Sequence, residues 1–111
     1  MAARCRRLAG MALTAALAAG SGAVAAAART HTVIIDKMEF GPVPRNVRGG
    51  DIIMWVNRDI FRHTATARDR SFTIDLAPFA RGKTVMRRSG AFAFYCAYHP
   101  GMKGRLVVAR N

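Results

Sequence analysis

Cysteine is scarce in this sequence, with two residues in 111. Cys5 precedes a long apolar N-terminal segment, so Cys96 is the only cysteine in the rest of the chain. One cysteine cannot form an internal disulfide, and a free thiol in an oxidising compartment is a liability unless something occupies it. The motif Cys-x-x-Cys-His is absent as well, which excludes covalent haem attachment.

Acidic residues are also few: six Asp and Glu stand against 18 Lys and Arg, for a net charge of +12. The chain carries no basic helix and no nucleic-acid motif, so we expect no nucleic-acid partner. The positive charge serves either solubility or attraction to an acidic partner or an anionic membrane face.

Residues 1–28 predict a secretory signal peptide. Arg4, Arg6 and Arg7 precede a stretch rich in alanine, and small-residue cleavage patterns place the cut between residues 25 and 28. The alternative is an uncleaved membrane anchor, because the apolar stretch is long. We therefore expect a periplasmic or otherwise exported protein, attached to a membrane only if the leader is retained. Residues 29–111 would form one small domain. A domain of this size often needs a disulfide or a metal to supplement its core, and without a disulfide we expect a bound metal.

After the leader, no segment keeps a helical period for longer than a turn or two, and no internal repeat is present. Short β-branched or alternating runs are separated by glycine, proline and charged turn signals, which predicts an all-β sandwich or barrel of seven to eight strands. The clearest predicted strands are residues 32–36, 52–57, 71–76, 84–88, 91–96 and 106–109, with a turn predicted at residues 81–83. In the strand that ends at Cys96, alternation places Phe92, Phe94 and Cys96 on one face, which we expect to be the interior.

A thiolate, an imidazole and a thioether follow one another at the spacing Cys96-x2-His99-x2-Met102. Soft sulfur together with imidazole suits copper, and a distant imidazole, His63, would complete a set of two His, one Cys and one Met. Each residue has a simpler interpretation: Cys96 and Met102 could be core side chains, and His63 a surface histidine. A structural zinc site would use more thiolates, and a Cys-His protease would need a substrate pocket. We expect His31 to be an ordinary solvated residue.

The order of several short motifs strengthens this interpretation. Met-Glu-Phe-Gly-Pro stands at 38–42, Gly-Asp-Ile-Ile-Met-Trp-Val-Asn at 50–57 and His-Thr-Ala-Thr-Ala at 63–67, ahead of the run from Phe94 to Gly104. In this order, residues 31–108 resemble small blue copper proteins of the cupredoxin family, in the plastocyanin and amicyanin branch. The two-residue gap between His99 and Met102 is similar to the short ligand loop of amicyanin.

The resemblance implies a Greek-key β-sandwich with one type 1 copper ion, bound by His63, Cys96, His99 and a weak axial Met102. It implies a monomeric, non-enzymatic one-electron carrier without a small-molecule substrate, with Cys96 as the coupling route, His63 buried and His99 as the exposed exit. Its partners would be redox proteins such as a cytochrome c, a dehydrogenase or an oxidase. Two alternatives stay open: a periplasmic copper-binding and delivery protein, and a membrane-tethered module of a respiratory complex.

Three residues depart from the family pattern. Thr64 replaces the usual Asn after the first His, and we expect its hydroxyl and its N–H, the latter on the Cys96 sulfur, to tether the ligand loops. Tyr98 replaces a Pro and keeps an N–H that could give Cys96 a second hydrogen bond and raise the reduction potential. Arg62 also replaces a Pro. With Arg58, Arg68 and Arg70 it would either face solvent or make a basic docking surface for an acidic partner.

Overall fold

The structure is a computed structural model, and it describes residue 3, residues 10–17, residues 20 and 22, and residues 27–111. Most of the predicted signal peptide, residues 1–28, lies outside the described residues, and so does its cleavage region apart from Ala27 and Ala28. Within the described ranges there is no helix with the length and apolar character needed to cross a membrane.

Nine strands in two sheets make up the described domain, in which no helix occurs between residues 27 and 111. In chain order they are β1 (Thr30–Asp36), β2 (Glu39–Phe40), β3 (Val47–Arg48), β4 (Ile52–Asn57), β5 (His63–Ala67), β6 (Thr73–Leu76), β7 (Arg81–Val85), β8 (Gly90–Tyr95) and β9 (Lys103–Ala109). One sheet has the order β2-β1-β4-β7 and the other the order β3-β9-β8-β5-β6. The predicted all-β sandwich is confirmed, with β2 and β3 as two-residue strands beyond the seven main ones.

The core lies between the two sheets and is built by alternation along each strand. In β4, Ile53 and Trp55 point inward and are fully buried, while their neighbours are only partly covered. Trp55 packs edge-on against Phe94 from the facing sheet, with ring centroids 5.2 Å apart, and its Nε1–H donates to Thr84 Oγ1 at 2.9 Å. The indole therefore buries a large apolar area with its one polar atom satisfied.

The sequence-based prediction for β7 is wrong by three residues. Residues 81–83 were expected to form a turn, because Gly82 lies between two charged residues, but they pair with β4 and the strand ends at Val85. The glycine is needed inside the strand because the Ile74 side chain from the facing sheet lies where a Cβ would stand. Gly82 thus marks a close approach of a side chain to the backbone and not a turn.

At the end of the sandwich where β1 begins, Asp51 holds the backbone just before this strand in place. Its carboxylate accepts the N–H groups of Arg29 and Arg48 at 3.0 and 2.9 Å and lies 2.8 Å from His31 Nε2. His31 is therefore partly buried and paired, and the prediction of a solvated histidine is wrong. The backbone hydrogen bonds from Arg29 and Arg48, with the contact to His31, lower the pKa of Asp51 to about 2.

We expect Asp51→Asn to lose stability at neutral pH and to lose none of it in acid. Because the folded-state pKa is about 2 against an ordinary 3.8, the charged form stabilises the fold fully above pH 3.8, and this contribution declines below that pH and is lost as the pH falls through about 2. The expected loss at pH 7 is about 1–2 kcal/mol. Urea unfolding at a series of pH values measures it, with the exposed Glu39→Gln as the control. A deficit that persists undiminished at pH 2 would contradict the assignment.

Candidate metal centre

Cys96 directly follows β8, at the end of the sandwich opposite Asp51. Phe92, Phe94 and Cys96 are 5%, 0% and 0% exposed, so the predicted inward face of this strand is confirmed. Phe94 packs against both Phe40 and Trp55, and its ring also lies over Gly104 on β9, where a Cβ would collide with it. The strand is thus held firmly just before the thiol, and Cys96 Sγ is aimed into the buried end of the core.

His63 opens β5, the neighbour of β8 in the same sheet, and it is fully buried. Its Nδ1 lies 3.7 Å from Cys96 Sγ, and its Nε2 lies 2.7 Å from Asp59 Oδ2. An ionised carboxylate only accepts hydrogen bonds, so the proton of the neutral ring is on Nε2 and the lone pair of Nδ1 faces the thiol. This arrangement of carboxylate, imidazole and free ring nitrogen is typical of metal-binding histidines.

The loop between β8 and β9 returns over the same end and brings in His99. Cys96 N–H donates to Met102 O at 3.0 Å, and Met102 N–H donates to His99 O at 2.9 Å, so the loop is closed by its own backbone. His99 Nδ1 lies 3.7 Å from Cys96 Sγ, and its ring centroid is 5.0 Å from that of His63. His99 is only partly covered, whereas Met102 is buried at 6% exposure among the core residues.

The three donor atoms fit one metal ion. His63, Cys96 and His99 each offer an atom, and all three lie within 4.8 Å of one another. Metal–nitrogen and metal–sulfur bonds of about 2.0 and 2.3 Å, at angles between tetrahedral and trigonal, separate the two donor atoms by about 3.5–3.8 Å. Both sulfur–nitrogen distances are 3.7 Å, which falls within this range. One thiolate with two imidazoles is a donor set that suits copper.

Thr64 ties the two loops together, as predicted. Its N–H donates to Cys96 Sγ at 3.3 Å, and its hydroxyl accepts the N–H of Ala97 at 2.8 Å. The expected second bond to sulfur is wrong: among the described residues, Thr64 is the one whose backbone N–H reaches Cys96 Sγ. The Tyr98 side chain is half-exposed, and the hydrogen bond that it makes is to Asp75.

Tyr98 and Arg62 meet on the surface beside the centre. The Tyr98 hydroxyl donates to Asp75 Oδ2 at 2.8 Å, and Arg62 Nη1 donates to Asp75 Oδ1 at 3.1 Å. The hydrogen bond to Asp75 raises the pKa of Tyr98, and the one from Tyr98 lowers the pKa of Asp75. Because Arg62 precedes His63 and Tyr98 precedes His99, this carboxylate links the two histidine loops. It also neutralises the charge of Arg62 at this end of the domain.

Asp59, which was not predicted from the sequence, connects His63 to a strained turn. Lys37 and Met38, between β1 and β2, have φ values of 49° and 60°, which only glycine and asparagine adopt readily. Their N–H groups donate to Asp59 Oδ1 and Oδ2 at 2.8 and 3.0 Å. Burial alone would raise the pKa of Asp59, but the bonds from Met38, His63 and Lys37 outweigh it and leave the pKa lowered. An acid four residues before the histidine was the one available signal.

Asn57, at the end of β4, holds Asp59 in place. Its side-chain oxygen accepts the N–H of Asp59 at 2.9 Å. Its amide nitrogen lies 2.8 Å from Phe61 O and 3.2 and 3.1 Å from Leu76 O and Ala77 O. The segment between β4 and β5 is therefore anchored at both ends, and it presents His63 in a fixed orientation.

No protein-family model matches the chain. Solved structures of amicyanins do match it. The reduced Cu(I) form at pH 4 of a proline-to-glycine mutant of amicyanin is 26% identical, covers 78% of this chain and 86% of its own, and has a TM-score of 0.59. A Cu(I) form of a methionine-to-alanine mutant of amicyanin is 25% identical with the same coverage and TM-score. Amicyanin from Paracoccus versutus (Thiobacillus versutus) is 22% identical over 78% of this chain and 85% of its own, with a TM-score of 0.60.

These likenesses agree with what the coordinates show independently. Two packed sheets leave the three donor side chains at one end, on β5, directly after β8 and on the loop that follows. The chain is thus a cupredoxin by fold, with amicyanins as its structural neighbours and a histidine–cysteine–histidine group consistent with a type 1 copper site.

Proposed function

We propose that this protein is a blue copper electron carrier of the periplasm or another exported compartment, and not an enzyme. The observation that carries the proposal is the distance of 3.7 Å from Cys96 Sγ to each of two histidine nitrogens, inside a packed sandwich end. Two of the neighbouring amicyanin structures are described as Cu(I) forms, which supports copper as the metal. Reversible one-electron chemistry is what copper supplies when it is bound by such a set.

In the proposed centre, His63, Cys96 and His99 would be the strong ligands and Met102 a weak fourth one. His63 is fixed by Asp59, and Cys96 by the N–H of Thr64 and by the firm packing of Phe94 behind it. The loop hydrogen bonds among Cys96, His99 and Met102 hold the other side. Because these supports do not depend on a metal, the ligands stay in place between oxidation states, which is the requirement for rapid electron transfer.

Exposure distinguishes the two imidazoles. His63 is completely buried, whereas His99 is partly exposed beside the exposed Phe61, with ring centroids 6.3 Å apart. We therefore assign electron entry and exit to the His99 edge and a purely supporting position to His63. A delivery protein would need to surrender its ligands to a partner, and full burial of both His63 and Cys96 favours the carrier.

The test is the titration of the purified protein with Cu(II), followed by visible and EPR spectroscopy and by voltammetry. We expect one equivalent to give strong thiolate-to-copper charge transfer, a narrow hyperfine splitting and a reversible one-electron wave. A pale tetragonal Cu(II) spectrum, or rapid loss of copper on reduction, would contradict the carrier and favour copper delivery. Mass spectrometry of the N-terminus of the exported protein tests the leader separately.

A further inference from the structure

The outer face of the five-stranded sheet carries a group of basic side chains around one tyrosine. Tyr95 on β8 pairs with Lys103 on β9, and Ala93, two residues before it, pairs with Arg105. On the other side, the N–H of Arg68 donates to Ala93 O at 2.9 Å, and its guanidinium lies 4.6 Å from the centroid of the Tyr95 ring. Arg68, Lys103 and Arg105 are all exposed, and we call this group the basic sheet face.

No carboxylate among the described residues forms an ion pair with the three basic side chains of this face. Of the chain's six side-chain carboxylates, four contact histidine or arginine side chains: Asp51 contacts His31, Asp59 contacts His63, Asp69 contacts Arg88, and Asp75 contacts Arg62. The remaining two, Asp36 and Glu39, lie opposite each other on the hairpin of the other sheet. Asp75 on the edge strand β6 is therefore the only carboxylate among the strands of the five-stranded sheet, and its charge is balanced.

We propose that the basic sheet face is a docking surface for a protein that presents a cluster of carboxylates. Stacking on Tyr95 holds the Arg68 charge in a fixed position, so less side-chain freedom is lost when a partner binds. Ala93, which lies between Arg68 and Arg105, is exposed and carries only a methyl group, so an acidic segment can approach both charges. The large exposed aliphatic side chain on β9 is a single valine, Val107, and β8 and β9 expose no tryptophan, phenylalanine or leucine of the kind that inserts into lipid, which favours a protein over a membrane.

The proposed docking surface is therefore on the outer face of the five-stranded sheet, whereas the sequence suggested one around Arg62. Arg62 is neutralised by Asp75 beside the centre, whereas Arg68 belongs to the sheet face. Tyr95 is the residue before Cys96, so this face lies beside the centre. That the docked protein is a redox partner rests on the proposed function. Binding of an acidic partner itself requires no copper, so the docking proposal and the proposed function can be disproved separately.

The experiment is an NMR titration of the copper-free protein with decaglutamate at low ionic strength, where exposed charges are least screened. We expect the largest amide shifts in β8, β9 and the residues after β5. The double variant Lys103→Gln, Arg105→Gln should weaken binding about tenfold. The matched control is Arg81→Gln, Lys83→Gln, which removes the same two charges at the same spacing from exposed positions on the other sheet.

Equal weakening by the two double variants, or shifts spread evenly over both sheets, would show that only net charge matters and would overturn the proposal. Binding to phosphatidylserine vesicles that depends on Lys103 and Arg105, without a matching dependence for decaglutamate, would overturn it in favour of a membrane. Unfolding midpoints of both variants are measured first, and because all four side chains are exposed we expect them to equal that of the parent.

Discussion

Replacing Asp59 with Asn should destabilise the copper-free domain by about 2–4 kcal/mol and weaken copper binding about 10–100-fold. Three donors converge on the two carboxylate oxygens: the N–H groups of Lys37 and Met38, and Nε2–H of His63. An amide offers one oxygen, so at least one of these donors would face its NH2 group and lose its partner. Loss of the carboxylate also removes the charge-assisted bonds that keep the Lys37–Met38 turn in its unfavourable conformation.

Two measurements separate the structural part of this effect from the part at the centre. Urea unfolding of the copper-free protein gives the free energy of unfolding, which reports the stability of the Lys37–Met38 turn. Competition with a chelator of known affinity gives the copper affinity, which depends on the orientation of His63. Glu39→Gln is the control, because it removes one carboxylate charge at an exposed position of β2, directly after the Lys37–Met38 turn that Asp59 contacts. If Asp59→Asn and Glu39→Gln gave the same stability and the same copper affinity, Asp59 would have no positioning role.

The centre could be predicted from the sequence because its main signals are local. Alternation in the strand before Cys96 determines on which face of the sheet the thiol lies. His99 and Met102 follow Cys96 by three and six residues, which places both in the next loop. His63 lies 33 residues from Cys96 in sequence, but it opens a strand and follows a characteristic segment. Position in a motif was therefore enough to find the candidate donors, although not to show how they are supported.

The supporting contacts could not be predicted because they join distant parts of the chain. Asp59 accepts hydrogen bonds from backbone N–H groups 22 and 21 residues earlier. Every residue except proline has such a group, so the sequence does not show which of them a side chain will contact. Asp75 likewise meets Tyr98 from 23 residues away on a separate strand. The expected Tyr98 N–H bond failed for the complementary reason: keeping a donor does not determine where the loop directs it. Gly82 was misread because a close approach and a turn both require glycine.

The second large effect concerns Cys96, and we expect Cys96→Ser to abolish the visible charge-transfer band and the stabilisation by copper together. When copper is present at about 1,000 times its dissociation constant, binding raises the free energy of unfolding by about 4 kcal/mol. The variant should lose this increment, because a serine hydroxyl is a poor substitute for a soft thiolate as a copper ligand. The copper-free variant should remain folded, since serine still offers Thr64 N–H an acceptor, and should lose only about 1 kcal/mol.

Met86→Leu is the control for general damage to the core. Met86 is another buried sulfur-containing residue of the same core, at 2% exposure, but it lies outside the group of three donor side chains. It should keep both the band and the copper-dependent shift of the unfolding midpoint. Retention of the band in Cys96→Ser would exclude the thiolate as its source, whereas its loss in both variants would point to misfolding. Loss in Cys96→Ser alone, with a folded copper-free domain, is the result that assigns the absorption to this sulfur.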